Sequence, residues 1–315
     1  MDESGGSGPG AMPRAEVEID EDLVGRLLTE QHPDLADRPL SWLTNGWDNA
    51  MLRLGDDLVV RLPRRRLAAE LVEHEQRWLP ALAPSLPLPI PAPVRVGRPS
   101  DAYPWAWSVL PWIDGRPAGA DPDLDGTAAG EQLGSFLAAL HRPAPAEAPA
   151  NPFRGGPLTT RHERFLGFVE RIAGLVDTDA VLERWHTCLD APRWDGPPLW
   201  LHGDLHAHNL LSAGGRLVAV IDFGDITAGD PATDLAAAWS LLDDADHEGF
   251  RLAADSAERP IDDAMWLRAD GWALAVGTAL LASSGDNPAM AAMGRRMTRR
   301  FLLDPDEPDG SAGDE

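Results

Sequence analysis

The sequence contains no lysine, so all 27 of its basic residues are arginines. They are outnumbered by 51 acidic residues, which gives a formal net charge of -24. Because contacts with phosphate backbones require clustered positive charge, this balance argues against a general nucleic-acid binder. Any chemistry that usually falls to lysine must be carried here by arginine, whose planar guanidinium differs from an ammonium in size and in hydrogen bonding.

Cysteine and long apolar runs are also scarce. Cys188 is the single cysteine, which excludes an internal disulfide and a cysteine-based zinc site. No apolar run approaches the ~18–20 residues that span a bilayer, and the chain does not open with a basic segment followed by an apolar one. With 43% hydrophobic residues the chain can still bury a core. We therefore expect a cytoplasmic globular protein, monomeric or homodimeric, without nucleic-acid or membrane partners.

Composition divides the chain into four parts. Residues 1–14 are rich in Gly, Ser and Pro, and half of residues 304–315 are acidic, so both segments are expected to be disordered. Between them the composition changes over 112–125, where Gly, Pro and Asp precede a long helical pattern. This change predicts a first lobe over 15–113 and a second, mainly helical lobe over 114–303.

Hydrophobic periodicity gives these two lobes different secondary structure. In the first lobe it predicts strands at 39–44, 50–55, 58–63 and 105–113 and a helix at 66–83 with a stripe of Leu67, Leu71, Trp78 and Leu82. In the second it predicts helices at 127–141, 231–243 and 261–283, and one that begins at a Thr160 N-cap. A β-like island at 199–225 interrupts the helices. The layout is α+β, and the island is the unusual element in it.

Three polar residues in and beside the island have an informative spacing. Asp204 is followed five residues later by Asn209, and then by Asp222 in an Asp-Phe-Gly triplet. This order is typical of kinase-type phosphoryl transfer, in which an Asp accepts the proton of the attacking hydroxyl and oxygen ligands hold Mg²⁺. A hairpin between Asn209 and Asp222 would bring both to its open end. Two polar turns flanking a hairpin are the alternative.

The segments HGDLHAHNLL and IDFGDITAGDPATDLA resemble the catalytic and metal motifs of the aminoglycoside phosphotransferase family, within the wider protein-kinase-like fold. The resemblance covers about residues 40 to 300. It implies a two-lobed fold whose first lobe and hinge bind ATP or GTP, with Asp204 as catalytic base and Asn209 and Asp222 as Mg²⁺ ligands. The structural supports that it implies for the catalytic loop are His202, Asp230 and Asp234. For Asp230, capping of a helix is a sufficient alternative.

The first lobe offers an independent indication. Arg61 lies on the predicted strand 58–63, and Glu75 falls on the apolar stripe of the following helix, where an unpaired carboxylate is costly. An Arg61–Glu75 pair would resolve this and would correspond to the Lys–Glu pair of the resembled family, with arginine in place of lysine. A guanidinium can hold phosphates bidentately. A structural ion pair alone is the alternative.

The resemblance also places a phosphate-covering loop and a hinge. The loop residues near the phosphates would be Gly46, Asp48 and Asn49, although the segment lacks a G-x-G-x-x-G motif and resembles an ordinary hairpin. The hinge residues whose backbone would meet the purine are Pro111, Trp112 and Ile113. A strand followed by a linker is the alternative.

The histidines around Asp204 allow a different interpretation. Alternating His202, His206 and His208 could converge on a metal as in a hydrolase. No further His-rich segment completes such a site, and it leaves Asp222 unexplained. His206, two residues after the predicted base, is a candidate substrate-binding residue.

The acceptor is the least determined part of the prediction. The resembled family phosphorylates hydroxyls of small molecules, which include antibiotics, choline and sugars. On the predicted helix 261–283, Asp263, Trp266 and Asp270 fall close to one face, a candidate wall for a cationic ligand; a solvated acidic face is the alternative. The leading hypothesis is a kinase that inactivates a hydroxylated antibiotic. The alternatives are a kinase for an amino alcohol, sugar or nucleoside, and a non-catalytic nucleotide-binding module.

Overall fold

The structure, a computed structural model, describes residues 14–46, 48–255, 260–299 and 301. Apart from Arg14, the two segments expected to be disordered lie outside the described residues. Helices and strands both contribute substantially, as the predicted α+β class requires.

Five antiparallel strands form the main sheet, in the order β1-β2-β3-β5-β4. They are β1 (Leu40–Asn45), β2 (Asn49–Leu54), β3 (Leu58–Pro63), β4 (Arg95–Gly97) and β5 (Trp107–Pro111). The predicted hairpins between β1, β2 and β3 are confirmed, and β3 is buried along its whole length because β2 and β5 flank it. A helix that the periodicity did not identify, α1 (Glu21–Gln31), packs on this sheet and completes a first hydrophobic core.

Helix α2 (Arg66–Leu82) follows β3 and carries one buried acid. The predicted stripe is partly wrong, since Leu67 is 75% exposed. The residues buried along the helix are Ala68, Ala69, Val72, Glu75, Leu79 and Leu82. Leu67 lies in the first turn, one position away from this line, which repeats every three to four residues and so follows one face of the helix.

The rest of the chain is mainly helical and surrounds a second, larger core. Its helices are α3 (Gly126–Leu140), α4 (His162–Arg171), α5 (Thr178–Leu189), α6 (Ala232–Leu235), α7 (Ala238–Leu241), α8 (His247–Ala254), α9 (Asp263–Ser283) and α10 (Pro288–Arg299). Helix α9 packs against α4, α5, α6 and α10, which buries it on most sides. No described helix combines the length and the apolarity needed to cross a membrane.

Two helix predictions require correction. The predicted helix 231–243 is two single turns, α6 and α7. Thr160 does not cap α4, because its hydroxyl donates back to the Pro157 carbonyl at 2.8 Å and the residue lies in a 3-10 turn that precedes the helix. Helix α4 begins at His162 without a side-chain cap.

The β-like island consists of two small sheets. Strand β7 (Leu199–Leu201) pairs with β10 (Thr227–Gly229), while β6 (Arg116–Pro117), β8 (Leu210–Ala213) and β9 (Arg216–Val220) form a three-stranded sheet. The predicted hairpin is β8-β9, and its turn is made by Gly214 and Gly215, whose φ values of 58° and 76° favour glycine. Its open end supports the candidate site.

Candidate active site

A cavity of about 600 Å³ lies between the main sheet and the island. It is lined by residues from both. The predicted site residues on its walls are Gly46, Asp48, Asn49, Arg61, Glu75, Pro111, Trp112, Ile113, Asp204 and Asp222. The structure therefore brings together residues that lie far apart in the sequence.

The loop that carries Asp204 is held by buried polar contacts. Asp234 accepts hydrogen bonds from the backbone N–H groups of His202 at 2.7 Å and of Gly203 at 2.9 Å. The His202 ring accepts the Asp204 N–H at Nδ1, 3.2 Å away, and its Nε2 lies 2.9 Å from the Ile221 carbonyl oxygen. Gly203 has a φ of 88°, and a Cβ there would lie 2.3 Å from the Asp225 carbonyl oxygen. This position of the loop therefore requires glycine.

Asp230 has a different environment from Asp234. Its carboxylate pairs with Arg268 of α9, at 2.7 Å from Nε and 3.3 Å from Nη2, and both side chains are buried. It also accepts the Ala232 N–H at 3.1 Å. Asp230 thus ties the start of α6 to α9, whereas Asp234 contacts the Asp204 loop directly.

The Asp204 carboxylate is about one-third exposed and faces several charged or titratable groups. Its Oδ1 accepts a hydrogen bond from Nη2 of Arg154 at 2.5 Å, and its Oδ2 lies 3.7 Å from Nε2 of His206. Burial by itself raises the pKa of Asp204, but Arg154 and His206 outweigh it, so the pKa lies below its usual value. Burial lowers the pKa of His206, with Asp204 opposing. Asp204 is therefore an ionised acceptor at neutral pH.

Asn209 and Asp222 flank the open end of the β8-β9 hairpin, as predicted. The Ile221 N–H donates to the Asn209 carbonyl at 2.9 Å, and Asn209 Nδ2 donates to the Asp204 carbonyl at 2.9 Å. Asp222 has a φ of 63°, a left-handed conformation found in no other non-glycine residue of the described chain. Such local strain is typical of functional sites.

The donor atoms at this end of the hairpin fit a magnesium ion. The amide N–H₂ of Asn209 is used within the loop, which leaves its Oδ1 as a neutral oxygen donor beside the exposed Asp222 carboxylate. Mg²⁺ prefers such hard oxygen ligands. Among the described residues, no group of three or more His, Cys, Asp or Glu side chains is arranged to hold a metal ion. The metal-hydrolase alternative therefore lacks a ligand set there.

The Arg61–Glu75 pair forms on the opposite wall. Nη1 of Arg61 donates to Oε1 of Glu75 at 3.0 Å, and a second contact joins Nη2 to Oε2. The two residues are only 6% and 1% exposed. Burial lowers the pKa of Arg61, and the negative charge of Asp222, the predicted metal ligand, opposes that effect.

Arginines also anchor the predicted phosphate loop. Arg65 pairs with the Asp48 carboxylate, Arg64 donates to the Gly46 carbonyl at 3.2 Å, and the Gly46 N–H donates to the Asn49 carbonyl at 2.8 Å. Trp47, between Gly46 and Asp48, lies outside the described residues. The loop is thereby tied to the end of β3, where Arg64 and Arg65 follow the strand.

The predicted hinge has few backbone donors. Pro111 has no N–H, and the Trp112 N–H donates to the Asp57 carbonyl at 2.8 Å. The Trp112 ring lies beneath the guanidinium of Arg53, 4.0 Å from its centroid. Of the three hinge residues, Ile113 therefore carries the backbone N–H that is left for a ligand.

Sequence reasoning missed Arg154, which contacts Asp204, and two residues connected to Arg154, which are Asp225 and Asn151. Nε of Arg154 lies 3.7 Å from Oδ2 of Asp225, and Asn151 Nδ2 donates to Oδ1 of Asp225 at 2.7 Å. Burial raises the pKa of Asp225, with Arg154 opposing. Asp225 adjoins the Asp-Phe-Gly triplet and could have been noticed, whereas Arg154, 50 positions before Asp204, belongs to no recognisable pattern.

The predicted acceptor wall is only partly assembled. Trp266 and Asp270 line a second cavity of about 370 Å³, whose described walls share no residue with the first cavity. Asp263 is exposed in the first turn of α9 and does not line it. Arg184 pairs with Asp270, and the Arg251 guanidinium lies 4.3 Å from the Trp266 ring centroid. Because these arginines already accompany the acid and the ring, the wall does not have the negative character expected for a cationic ligand.

Comparisons with known proteins agree with this architecture. The GDP complex of aminoglycoside 2'-phosphotransferase-IIIa superposes with a TM-score of 0.63 at 18% identity, over 90% of this chain and 99% of that one. A macrolide 2'-phosphotransferase from Brachybacterium faecium gives 0.57 at 22% identity, over 92% and 100%. At these identities the likeness shows the fold. No curated protein matches the chain significantly. The model of the phosphotransferase enzyme family matches residues 40–272, more than half of the sequence, and the chain therefore belongs to that family.

Proposed function

We propose that this phosphotransferase is Mg²⁺-dependent and transfers the γ-phosphoryl group of ATP or GTP to a hydroxyl of a small-molecule antibiotic, and thereby confers resistance. The observation that carries the proposal is the single cavity in which Asp204 and Asp222 face the Arg61–Glu75 pair. We further propose that the fold is protein-kinase-like, with a nucleotide-binding lobe and hinge over 15–113 and a catalytic lobe over 114–303.

In the proposed reaction Asp204 is the base. Its ionised carboxylate orients the acceptor hydroxyl and accepts the proton as the hydroxyl oxygen attacks the γ-phosphorus. Asn209 and Asp222 would hold Mg²⁺, which when bound offsets the negative charge of the transferred group. Arg61, oriented by Glu75, contacts the nucleotide phosphates from the other wall.

The rest of the nucleotide site follows from the cavity walls. The backbone at Pro111, Trp112 and Ile113 contacts the purine edge, and the loop with Gly46, Asp48 and Asn49 covers the phosphates. Two fold relatives support a nucleotide there, since one was solved with GDP and another, aminoglycoside phosphotransferase APH(2'')-Ib, with ADP. An antibiotic acceptor is supported by the names of the relatives, which are aminoglycoside and macrolide phosphotransferases.

The first test is Mg²⁺-dependent release of nucleoside diphosphate from ATP and GTP, with panels of aminoglycosides, macrolides, peptide and nucleoside antibiotics, choline and sugars. We expect one antibiotic class to stimulate release and to gain the mass of one phosphate. Stimulation by choline or a sugar instead would replace the antibiotic by a metabolic acceptor. If neither nucleotide bound, the proposal would be wrong.

The base is tested by Asp204→Asn, which keeps the shape of the side chain and removes its ability to accept a proton. We expect turnover to fall by about 10²–10⁴-fold with nucleotide affinity nearly unchanged. The matched control is Asp34→Asn, since Asp34 is also paired with an arginine, Arg95, but on the surface of the main-sheet region. Full turnover of Asp204→Asn would contradict the assignment.

A further inference from the structure

Arg154 lies between two carboxylates of the main cavity. Its Nη2 is 2.5 Å from Oδ1 of Asp204, and its Nε is 3.7 Å from Oδ2 of Asp225. Both acids line the cavity, whereas its described walls do not include Arg154. A planar guanidinium can address two carboxylates through two of its edges, which a compact ammonium cannot do.

The backbone on the C-terminal side of Arg154 packs closely against β10. Gly155 has a φ of 70°, and its carbonyl accepts the Asp230 N–H at 2.9 Å. A Cβ on Gly229 would lie 2.1 Å from the Gly155 carbonyl oxygen, so the two glycines allow an approach that side chains would prevent. This close packing fixes where the Arg154 side chain starts.

The N-terminal side is anchored by Asn151. Its N–H donates to Oγ1 of Thr227 at 3.1 Å, and its Oδ1 accepts the Phe153 N–H at 2.8 Å. Its Nδ2 donates to Oδ1 of Asp225 at 2.7 Å, which turns the other oxygen of that acid toward Arg154. The loop, the acid and the arginine therefore form one connected unit.

We propose that Arg154 is a positioning residue that holds Oδ1 of Asp204, so that Oδ2 is presented to the acceptor hydroxyl, while Asp225 orients Arg154 from its other edge. This inference rests on the proposed role of Asp204 as base. Oδ2 lies 3.7 Å from Nε2 of His206, beyond hydrogen-bond distance, and so remains available for the proton.

The step balances with that oxygen as proton acceptor. The acceptor O–H bond breaks and its proton goes to Oδ2 of Asp204, while the acceptor oxygen forms a bond to the γ-phosphorus. The bond between that phosphorus and the bridging oxygen breaks, and the nucleoside diphosphate leaves with the electron pair. A carboxylate that rotates freely would present Oδ2 in this geometry for only part of the time.

The test compares Arg154→Gln with Arg154→Lys in the full chain, and the acceptor is the panel compound that stimulates release of nucleoside diphosphate. Gln keeps a donor but not the charge, and we expect kcat to fall by about 100-fold while the nucleotide Kd stays within about twofold. Lys restores the positive charge but concentrates it on a single ammonium group, so we expect kcat of Arg154→Lys to be about tenfold higher than that of Arg154→Gln. Arg95→Gln, which breaks a surface pair with Asp34, should leave kcat unchanged.

Coupling to Asp225 provides a second measurement. Asp225→Asn should lower kcat in the unsubstituted protein and have little further effect in the Arg154→Gln background, because the two residues act through one contact. The proposal would be overturned if kcat of Arg154→Gln were unchanged, or if its fall were matched by weaker nucleotide binding. It would also be overturned if kcat of Arg154→Lys were no higher than that of Arg154→Gln, or if the effects of Arg154→Gln and Asp225→Asn on kcat were additive. If Asp204→Asn were itself active, the proposed base would be wrong, and that outcome is separate from these.

Discussion

Arg61 is the residue at which the chain departs from the family it resembles, where a lysine is usual. Its two contacts with the nearly inaccessible Glu75 use the fork of the guanidinium, which an ammonium could match at one oxygen only. The substitution of arginine for lysine is thus accommodated by a bidentate pair. It follows that replacing Arg61 by lysine should not increase the stability of this protein.

We expect Arg61→Lys to lower the free energy of unfolding by about 1–3 kcal/mol, because one oxygen of Glu75 loses its partner in a buried site. Arg61→Met should cost more, about 3–5 kcal/mol, since it leaves a buried carboxylate uncompensated. Urea denaturation measures both effects. The double variant Arg61→Met with Glu75→Leu should regain stability but not nucleotide affinity, and recovery of both would show that the pair is structural only.

Cys188 provides a test of burial at a single atom. The thiol is 1% exposed, and burial raises its pKa to about 12, so it stays protonated at pH 8. We expect no reaction of the native protein with a thiol-specific reagent at that pH, and one equivalent after unfolding in denaturant. Rapid reaction of the native protein would mean that the packing of α5 against α9 opens readily.

At the residue scale, the sequence predicted those site residues that occur at a fixed spacing within a motif. Asp204, Asn209 and Asp222 follow a regular motif, and Glu75 was conspicuous because a carboxylate on an apolar stripe needs a partner. Arg154 had no such signal, because its position beside Asp204 depends on how a loop packs on a strand. Tertiary packing of this kind leaves no periodicity in the sequence.

At the element scale, the close approach of Gly155 and Gly229 can be tested directly. We expect Gly229→Ala to destabilise the protein by about 1–3 kcal/mol and to lower kcat, because a Cβ 2.1 Å from a carbonyl oxygen must displace the loop that carries Arg154. Gly167→Ala in α4 is the matched control, since nothing lies within 4 Å of its Cβ and alanine favours a helix. Thermal melts and steady-state kinetics of both variants measure these effects. Equal melting temperatures and equal kcat values for the two variants would contradict the packing argument.

The elements that sequence predicted well are those with strong patterning. Strand β2 alternates between buried and half-buried residues, and α2, α3 and α9 are long and apolar on one side or nearly all round. Helices α1, α5, α8 and α10 were not identified, although Asp20 and Asp177 cap the first two. The prediction that Thr160 caps α4 was wrong for a physical reason. A threonine hydroxyl can donate a hydrogen bond to a carbonyl earlier in the chain as readily as it can cap a helix.

At the scale of the whole molecule, charge and architecture act together. A formal charge of -24 disfavours a compact state through self-repulsion, and the exposed Asp222 carboxylate places further negative charge at the open end of the β8-β9 hairpin. NaCl screens the first effect, whereas a divalent cation bound at Asn209 and Asp222 would neutralise the second. The two contributions can therefore be separated by comparing NaCl with MgCl₂ at equal ionic strength.

We expect NaCl to raise the melting temperature as the Debye length falls from about 30 Å at 0.01 M to about 8 Å at 0.15 M ionic strength. MgCl₂ at matched ionic strength should add about 2–4 °C for each ~1 kcal/mol of binding free energy, because the cation binds the folded state at Asn209 and Asp222. Asp222→Asn should abolish this increment and keep the NaCl effect, while the surface variant Asp34→Asn keeps both. Equal melting temperatures in the two salts would place the magnesium requirement on the nucleotide rather than on the protein, because the cation would then have no measurable affinity for the protein's own oxygen ligands.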